Sequence, residues 1–562
     1  MIFFILFLRI SEQKKSCTFA GNLKLLMRKI LSNFILAFII GLIFINCANR
    51  GTPEGGPKDE TPPEIVKSEP ENYSINFNGN EIKITFNEFV KLKDIQKQLI
   101  ISPPMVTQPE IKPIGSASRE ITIKIYDTLQ PNTTYAFNFG NSIQDNNEGN
   151  PFSYYRYVFS TGDYIDSLKV KGNIVDAIKR EPETFVSVAL YEVDSTFRDS
   201  IVYKETPKYI TNTLDSLTTF TIENVKEGKY LLVALKDSNG DNKFQQKTDQ
   251  IGYYDELIYV PTKDSLHTLK LFKEDLDFKA VRPKLISGEK IVFGYEGDYK
   301  DMKIELLSEV SEDFTYSITK DKETDSLYYW YAPRQEVDSL IFKVSHPTFE
   351  KEFTARISEQ KRDSLMLTPS PSGNIGYDEP FRIFGSTPFK NIDASKITIL
   401  DKDSTKVAFN SKLDSIFNTF ILDFEKTEAN KYNIEILPEA FTGFFDVKND
   451  SLNYSVSTKR ISDFGYIRFN MVNAVYPLIV QLTDAKGEVK DERYATENKP
   501  LDFLNVNPGK YFVRVIFDSN GNKKYDTGNF LKKIQPERVS HFEMSEEVRA
   551  DWGLIETLQF IR

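Results

Sequence analysis

Apolar and polar residues alternate along many short stretches of this chain, and strongly periodic helical stretches are missing after residue 50. Residues 81–86 (EIKITF), 121–125 (ITIKI) and 135–139 (YAFNF) place an apolar side chain at every second position. Successive side chains of a strand point to opposite faces, so this period is typical of half-buried strands. Turn residues separate the stretches. The pattern predicts an all-β chain of tandem β-sandwich domains.

Length and composition agree with this prediction, and the charge distribution argues against one class of partner. A chain of 562 residues is long enough for roughly four or five domains of ordinary size. The 43 Phe and 28 Tyr bring the aromatic content to 13%, which is typical of strands. The formal charge is −10, without a block of Lys and Arg. Because nucleic-acid binding depends on basic clusters, we expect no nucleic-acid partner.

One stretch of the sequence occurs twice. Residues 228–253 (GKYLLVALKDSNGDNKFQQKTDQIGY) and 509–530 (GKYFVRVIFDSNGNKKYDTGNF) share Gly-Lys-Tyr, an apolar strand, Asp-Ser-Asn-Gly and a Lys followed by an aromatic residue. The offset stays at 281 residues from Gly228/Gly509 through Phe244/Tyr525. The repeat predicts that a β-module was duplicated.

The amino terminus has the pattern of an export signal. Residues 27–29 (MRK) precede an apolar run at 34–45, which has the length of a signal h-region and is short for a membrane-spanning helix. Residues 44–47 (FINC) then resemble a bacterial lipoprotein signal. The resemblance implies that Cys47 is acylated, becomes the first residue of the mature chain and anchors it to the outer membrane, on the periplasmic or the cell-surface face.

We therefore expect residues 1–46 to be an upstream extension plus signal peptide, with the true start at Met27. Residues 47–61, rich in Gly and Pro, are predicted to be a flexible tether. Cys17 and Cys47 are the two cysteines, so the mature chain would contain no disulfide and would depend on large cores or bound ions. The alternative for Cys47 is an ordinary buried cysteine in an uncleaved anchor.

Two kinds of β-module follow the tether. Residues 62–162 resemble the bacterial Ig-like domain first described in S-layer proteins, and residues 163–280 resemble the prealbumin-like repeats of surface adhesins. The stretches that carry the first resemblance are ITFNEFVKLKD at 84–94, LQPNTTY at 129–135, IQDNNEGNP at 143–151 and YVFSTG at 157–162. The second resemblance is carried mainly by residues 220–252, in which the turn x-E-G-K-Y joins two strands. Both imply a β-sandwich, and the Ig-like resemblance also implies a spacer or binding role.

The remaining chain continues this organisation. Residues 281–368 alternate as strands do and predict a β-sandwich of unrecognised type. Residues 369–458 echo the Ig-like domain, since ANKYNIEIL and YSVST parallel NTTYAFNFG and YVFST. Residues 459–562 contain the second prealbumin-like module. We expect two Ig-like plus prealbumin-like pairs, separated by one further sandwich, in a rod-like string.

The repeated Asp-rich loop is the candidate cation site. Oxygen atoms at alternate positions of a turning loop converge, which suits Ca²⁺. The candidate ligands are Asp237, Asn239, Asp241, the Lys243 carbonyl and Asp249 in the first copy, and Asp518, Asn520, Asn522, the Lys524 carbonyl and Asp526 in the second. Asp-Ser-Asn-Gly is also a strong turn signal that needs no ion. Turn and calcium site stay alternatives, with calcium favoured more in the first copy because of Asp249.

Catalysis has little support in the sequence. His267, His346 and His541 fall in three different predicted domains, whereas a nucleophile–His–acid site needs its members to converge. The motifs GxSxG, HExxH, Walker A and CxxC do not occur. Aromatic clusters at residues 328–331 and 441–445 either stack on sugar rings or pack in a core.

The sequence therefore predicts a noncatalytic lipoprotein of the cell envelope, a structural or adhesive stalk anchored through Cys47. Its expected partners are the membrane, through the lipid, and an envelope protein or glycan. Calcium is the one cofactor that the sequence suggests. The alternatives are a periplasm-facing scaffold of an outer-membrane complex and a carbohydrate-binding or carbohydrate-cleaving protein.

Overall fold

The computed structural model describes residues 59–214, 218–263 and 266–560. The chain divides into two units, Met1–Thr61 and Pro62–Arg562, and the fold described here is that of the second. The predicted signal, Cys47 and nearly all of the tether lie outside the described residues. Within the described part, no helix has both the length and the apolar character needed to cross a membrane.

The second unit is all-β, as predicted, and its strands form five sandwiches with separate hydrophobic cores. We number them sandwich 1 (residues 62–162), 2 (163–277), 3 (278–364), 4 (365–458) and 5 (459–560). The helical elements of the described part are single short turns. They are α1 (Ile95–Gln98) and three 3₁₀ segments, Asp199–Tyr203, Ala394–Lys396 and Ile461–Asp463.

Sandwich 1 packs two sheets around a core of Ile, Phe and Tyr side chains. Its strands are β1 (Ile65–Glu69), β2 (Glu81–Leu92), β3 (Ile100–Ser102), β4 (Glu110–Lys112), β5 (Ser118–Lys124), β6 (Thr134–Asn138), β7 (Ile143–Asp145) and β8 (Arg156–Ser160). One sheet has the order β1-β2-β5-β4 with β7 beside β2, and the other has the order β3-β6-β8. The alternating isoleucines of β2 and β5 point into the core, as the period-two pattern predicts.

Sandwich 2 contains the first copy of the repeat. Its strands are β9 (Leu168–Asp176), β10 (Ser187–Glu192), β11 (Tyr209–Asn212), β12 (Thr219–Val225), β13 (Gly228–Lys236), β14 (Gln250–Tyr253), β15 (Ile258–Val260) and β16 (His267–Leu271). One sheet has the order β11-β10-β13-β14 with β15 beside β13, and the other has the order β12-β9-β16. The last strand, β16, is parallel to the first, β9.

Sandwich 3 begins slightly earlier than the sequence predicts, because Phe278 and Ala280 belong to its core. Its strands are β17 (Lys279–Ala280), β18 (Lys284–Ser287), β19 (Lys290–Glu296), β20 (Lys303–Leu306), β21 (Thr315–Lys320), β22 (Ser326–Ala332), β23 (Ser339–His346) and β24 (Phe349–Arg356). The two sheets have the orders β17-β19-β22-β21, with β18 beside β19, and β20-β23-β24.

Sandwich 4 has the most strands. They are β25 (Leu367–Ser370), β26 (Gly373–Asn374), β27 (Phe381–Gly385), β28 (Phe389–Ile392), β29 (Ile397–Leu400), β30 (Lys406–Val407), β31 (Phe409–Asp414), β32 (Thr419–Phe424), β33 (Lys431–Ile436), β34 (Phe441–Gly443) and β35 (Leu452–Ser457). The sheets have the orders β25-β27-β32-β31, β26-β35-β33-β29-β30 and β28-β34.

Sandwiches 1 and 4 share a small hydrogen-bond motif, which supports the similarity predicted between them. The Tyr135 hydroxyl accepts from the Gln130 amide at 2.9 Å, and the Tyr432 hydroxyl accepts from the Thr427 amide at 2.7 Å. In both cases the tyrosine opens the strand that follows, so its hydroxyl fixes the turn that leads into the strand.

Sandwich 5 repeats the strand order of sandwich 2. Its strands are β36 (Gly465–Val472), β37 (Leu478–Thr483), β38 (Val489–Ala495), β39 (Leu501–Val506), β40 (Phe512–Phe517), β41 (Val539–Glu543) and β42 (Gly553–Gln559). The sheets have the orders β38-β37-β40-β41 and β39-β36-β42, and the last strand is again parallel to the first. The two modules therefore have the same strand order, as a duplication would produce.

The central strands β10 and β13 of sandwich 2 are buried on both faces. Leu232 and Ala234 of β13 point into the core between the two sheets. Leu231, Val233 and Leu235 point the other way, into a second core. That second core includes Phe530 of sandwich 5. The structure thus differs from a string in which each sandwich contacts only its neighbours in sequence, because sandwich 5 packs directly on sandwich 2.

Candidate functional site

The first Asp-rich loop is organised around the Asp237 carboxylate, which follows β13. Its Oδ1 accepts from the amides of Asn239 and Gly240 at 2.9 and 2.7 Å, and its Oδ2 accepts from the Asn242 amide at 2.7 Å. Gly240 has φ 73° and Asn242 has φ 58°. Both values lie in the left-handed region that glycine and asparagine tolerate best. The Asp-Ser-Asn-Gly sequence therefore forms a turn closed by its own carboxylate.

The second loop has the same construction around Asp518, which follows β40. Its Oδ1 accepts from the amides of Gly521 and Asn522 at 2.7 and 3.1 Å, and its Oδ2 accepts from the Lys523 amide at 2.9 Å. Gly521 has φ 75° and Lys523 has φ 62°, which match the corresponding values of the first loop. One extra donor is present here, since the Tyr494 hydroxyl donates to Asp518 Oδ2 at 2.8 Å.

The pKa values of the two aspartates shift in opposite directions. Burial raises the pKa of Asp237 above its ordinary value, and the loop amides only partly offset this effect. For Asp518, burial also opposes ionisation, but the Lys523 amide, the Tyr494 hydroxyl and the other loop amides outweigh it and lower the pKa. Hydrogen bonds to the charged form stabilise a carboxylate in this way.

A second carboxylate supports each loop from the far side. In the first copy, the fully buried Asp249 accepts from the amides of Ser238 and Gln245 at 3.1 and 2.8 Å. In the second copy, Glu537 accepts from the amides of Ser519 and Asp526 at 2.6 and 3.1 Å.

The two pairs of donors correspond to each other in the repeat, so Glu537 replaces Asp249. Asp249 directly precedes β14, and Glu537 lies just before β41. Sequence reasoning missed Glu537, because the interval from Asp237 to Asp249 is seven residues shorter than that from Asp518 to Glu537. Matching the copies by the strand after the loop, rather than by a constant offset, would have found it.

The other predicted cation ligands lie at the exposed tip of each loop. In the first copy, Gln245 Nε2 donates to Asp241 Oδ2 at 2.9 Å, and Asn239 Nδ2 donates to Gln245 Oε1 at 3.3 Å. The Lys243 amide donates to Asp241 Oδ1 at 3.0 Å. The loop tip is thus closed by side chains of the loop itself.

In the second copy, Asp526 takes the place of Gln245. Its Oδ2 accepts from Asn520 Nδ2 and Asn522 Nδ2 at 2.6 and 2.7 Å. The Lys524 amide donates to Asn522 Oδ1 at 2.8 Å. Each loop therefore brings its predicted side chains to one tip.

The hypothesis that the Asp-rich loops bind Ca²⁺ depends on the oxygen atoms at the two loop tips. In residues 59–214, 218–263 and 266–560, no three His, Cys, Asp or Glu side chains are grouped closely enough to hold a metal ion. Amide and carbonyl oxygens would have to complete any coordination, as Ca²⁺ permits. Both oxygens of Asp249 accept from backbone amides, and Glu537 has the same role, so Asp249 does not favour calcium in the first copy over the second.

The extra residues of the second copy form a docking segment (residues 527–535) that lies on sandwich 2. Phe530 is fully buried and meets the Tyr253 ring edge-on, with ring centroids 5.3 Å apart. Its amide donates to Glu274 Oε1 at 2.6 Å. The Thr527 hydroxyl donates to the Lys273 carbonyl at 2.6 Å. This segment therefore contacts sandwich 2 through an apolar anchor, a buried hydrogen bond to Glu274 and an exposed one to the Lys273 carbonyl.

Further contacts surround the anchor. Gln535 Nε2 donates to Asp255 Oδ1 at 2.7 Å, and Lys533 Nζ lies 2.8 Å from Asp199 Oδ1. A Cβ on Gly528 would lie 2.6 Å from the Phe272 ring, so the close approach of the segment needs glycine at this position.

A second contact lies beside the docking segment. Arg180 of sandwich 2 forms an ion pair with Glu543 at 3.0 Å, and its guanidinium lies 4.1 Å from the centroid of the Phe512 ring. Sequence reasoning missed this interface. The available signal was the apolar run at residues 230–235 (YLLVAL), since a strand without alternation is typical of burial on both faces.

The predicted aromatic clusters are largely packed. Tyr329 and Tyr331 lie in the core of sandwich 3, and Phe441 lies in the core of sandwich 4. Trp330 is buried as well, and its ring centroid is 6.3 Å from that of Phe445. The two clusters thus meet where sandwiches 3 and 4 contact each other, and core or interface packing explains these positions.

The three histidines lie in different surroundings. His267 meets the Tyr254 ring edge-on at 4.8 Å, and His346 stacks on Phe278 at 4.1 Å. His541 is half-buried in sandwich 5, where burial and two neighbouring arginines hold its pKa below the ordinary value. The fold does not bring them into one site.

Comparison with known families identifies one part of the chain. Residues 59–161 match the family model described as a bacterial Ig-like domain. The match spans sandwich 1 and confirms the resemblance inferred from its sequence. A search of curated proteins found no match to the chain.

Several solved structures of tandem-domain proteins are similar to long parts of the chain. The S-layer protein rSbsC is 12% identical, covers 88% of this chain and 68% of its own, and has a TM-score of 0.15. The TIE protein of Bacillus anthracis is 10% identical over 90% of this chain and 76% of its own, with a TM-score of 0.14. The Bacteroides ovatus protein SGBP-B of a mixed-linkage glucan utilization locus is 12% identical over 60% and 88%, with a TM-score of 0.17. TM-scores of this size do not establish a shared arrangement.

Proposed function

We propose that the protein is a noncatalytic lipoprotein of the outer membrane, a structural or adhesive stalk that acylated Cys47 anchors. The observation that supports this proposal is the role of four carboxylates in the two copies of the repeat. The carboxylates of Asp237, Asp249, Asp518 and Glu537 all accept hydrogen bonds from backbone amides. These groups hold the shape of the loops, which is a structural role.

The mechanism is positional. Lipid at Cys47 would hold one end of the chain at the membrane, and the tandem sandwiches would present their surfaces to an envelope protein or glycan. Docking of sandwich 5 on sandwich 2 ties together parts of the chain that are far apart in sequence. Because Phe530 is fully buried in this contact, separating the two sandwiches would expose apolar surface to water and is therefore unfavourable.

The anchor is tested by replacing Cys47 with Ala in the native cell. We expect the variant to leave the membrane fraction and to lose the acyl mass at its amino terminus. Cys17→Ala is the matched control, because a start at Met27 would leave residue 17 untranslated. A Cys47→Ala protein that stays acylated or fully membrane-bound would contradict the proposal.

The membrane face is tested by protease treatment of intact cells. A cell-surface stalk would be degraded, whereas a periplasm-facing scaffold would be protected until the outer membrane is opened. If the protein is protected from the protease in intact cells, the periplasm-facing scaffold is favoured over the adhesive stalk. This outcome would not contradict the lipid anchor.

As part of this function, we also propose that Ca²⁺ binds at the loop tips. A ligand that binds only the native state raises the unfolding free energy by about 2.7 kcal/mol at a hundredfold excess over Kd. We expect melting with calcium and with chelator to differ, and the difference to shrink in Asp237→Ala and in Asp518→Ala. Asp298→Ala, in a loop of sandwich 3, is the control. An equal melting temperature with calcium and with chelator would make both loops turns only.

A further inference from the structure

A cleft lies between sandwiches 1 and 2, away from the repeated loops. Its volume is about 360 Å³, within the range of roughly 300–1,000 Å³ that is usual for ligand pockets. Strands β3, β6 and β8 line one side, and β9, β11 and β12 line the other. The Ile210 amide of sandwich 2 donates to Ser102 Oγ of sandwich 1 at 3.1 Å. This hydrogen bond joins the two walls of the cleft. Pockets at domain boundaries of this kind are frequent ligand sites.

The charges that line the cleft are unbalanced. Arg156, Lys169 and Lys171 contribute three positive charges, and Glu223 contributes the one carboxylate among the lining residues. Glu223 forms ion pairs with both Arg156 and Lys169. Lys171 forms no ion pair with any described residue. A chain with a formal charge of −10 thus has a cleft of positive sign, and such a cleft attracts anions.

The geometry of the cations is partly fixed. The side chains of Arg156 and Glu223 are only 24% and 23% exposed, and Arg156 Nη2 donates to Asn224 Oδ1 at 2.8 Å. Lys171 lies opposite Thr221 in the register of β9 and β12. An ammonium and a hydroxyl therefore stand side by side on the wall of the cleft, and the same lining includes the Arg156 guanidinium, which is held in place.

The rest of the lining is rich in neutral hydrogen-bonding groups. Asn138 lies on the side of sandwich 1, and Asn212 and Thr219 lie on the side of sandwich 2. The half-exposed Tyr154 adds an aromatic ring. Amides and hydroxyls are groups that bind the hydroxyls of a sugar, and an exposed aromatic ring such as that of Tyr154 can stack on its ring face.

We propose that this cleft binds a small ligand with an oxyanion, and that the carboxylate of an acidic sugar is the class that fits it best. Lys171 and Lys169 face the oxyanion, while Asn138 and the threonines bind the hydroxyl groups. Inorganic phosphate shares the oxyanion chemistry, but it lacks the sugar ring and the alcohol hydroxyls that the neutral lining would bind. The proposal adds a small-ligand site to the proposed stalk function, which by itself assigns no ligand to this cleft.

The test is calorimetric titration of the full chain in detergent with glucuronate, inorganic phosphate and glucose. We expect saturable binding of glucuronate and little binding of glucose. Loss of one charged hydrogen bond weakens binding by about tenfold or more, so Lys171→Gln should raise the Kd for glucuronate by that factor. Lys171→Arg, which keeps the charge, should restore most of the affinity.

Lys412→Gln is the matched control, because Lys412 lies on the exposed strand β31 of sandwich 4 and its replacement removes the same charge. Tighter binding of phosphate than of glucuronate would keep the oxyanion site and overturn the acidic sugar as its ligand. Equal binding of glucose and glucuronate, equal effects of Lys171→Gln and Lys412→Gln, or no saturation by either anion up to about 10 mM would overturn the proposal.

Discussion

The two copies of the Asp-rich loop have the same backbone and different surroundings. In both, an aspartate after the strand accepts from the amides of a left-handed turn, and a second carboxylate supports the loop. The first copy returns directly to β14. The second inserts the docking segment before β41, and that segment packs on sandwich 2.

This difference shows which parts of the module tolerate change. The turn depends only on local features, namely hydrogen bonds from backbone amides to one carboxylate and a glycine at positive φ. Both copies retain these features. The length between the turn and the next strand is less constrained, because extra residues in a surface loop cost little conformational entropy. The interface between the copies was built in this interval, with Phe530 as its anchor.

Phe530→Ala should have the largest effect on the difference between the two copies. It removes the fully buried anchor that the first copy lacks, and truncation of a buried Phe costs roughly 3–5 kcal/mol. We expect faster hydrogen exchange in peptides that contain Tyr253 and Phe272, measured by mass spectrometry of residues 62–562. Leu531→Ala is the control, since Leu531 is 52% exposed in the same segment. Equal exchange in the two variants would show that the segment does not hold the sandwiches together.

Asp249→Asn and Glu537→Gln test whether the two supporting carboxylates are equivalent. Each variant weakens hydrogen bonds between a charged acceptor and backbone amides, which are worth about 1.5–3 kcal/mol. We expect similar loss of exchange protection in both loops. Glu256→Gln, at the position 281 residues before Glu537, should have no effect. A large effect of Glu256→Gln would restore the constant-offset alignment and contradict the equivalence.

The contributions of Asp518 and Asp237 to stability should change in opposite directions as the pH falls. This effect should be smaller than those expected for Phe530→Ala and for the Asp249 and Glu537 variants. The folded pKa of Asp518 is lowered, so its stabilising contribution is present above the unfolded pKa and is lost as pH falls through the folded value. The folded pKa of Asp237 is raised, so its contribution is greatest at low pH and is lost as pH rises through the unfolded value toward the folded one.

Denaturant unfolding between about pH 3 and 6 checks this contrast. Asp518→Asn should flatten the acid-side loss of stability, and Asp237→Asn should steepen it. Tyr494→Phe, which removes one donor from Asp518, should act in the direction of Asp518→Asn and more weakly. The same slope in both aspartate variants would mean that the two carboxylates have equivalent environments.

Much of the fold was predictable because its signals are local. Alternation identified strands such as β2 and β5, and the repeated loop sequence identified two modules with the same strand order. The turn alternative for Asp-Ser-Asn-Gly was predictable from Gly240 and Gly521, since each sits where the chain needs a positive φ. The boundary at Phe278 was less accurate, because nothing local distinguishes the last residue of one core from the first of the next.

The sequence by itself determined the strands, the turns and the duplication, because side-chain period and backbone preference act over a few residues. Only the tertiary structure showed that Glu537 takes the place of Asp249 and that Phe530 anchors sandwich 5 on sandwich 2. It alone also placed Lys171 and Arg156 in the lining of one cleft. These contacts join residues that are distant along the chain, and their free energy comes from burial and charge that arise only when the sandwiches pack together.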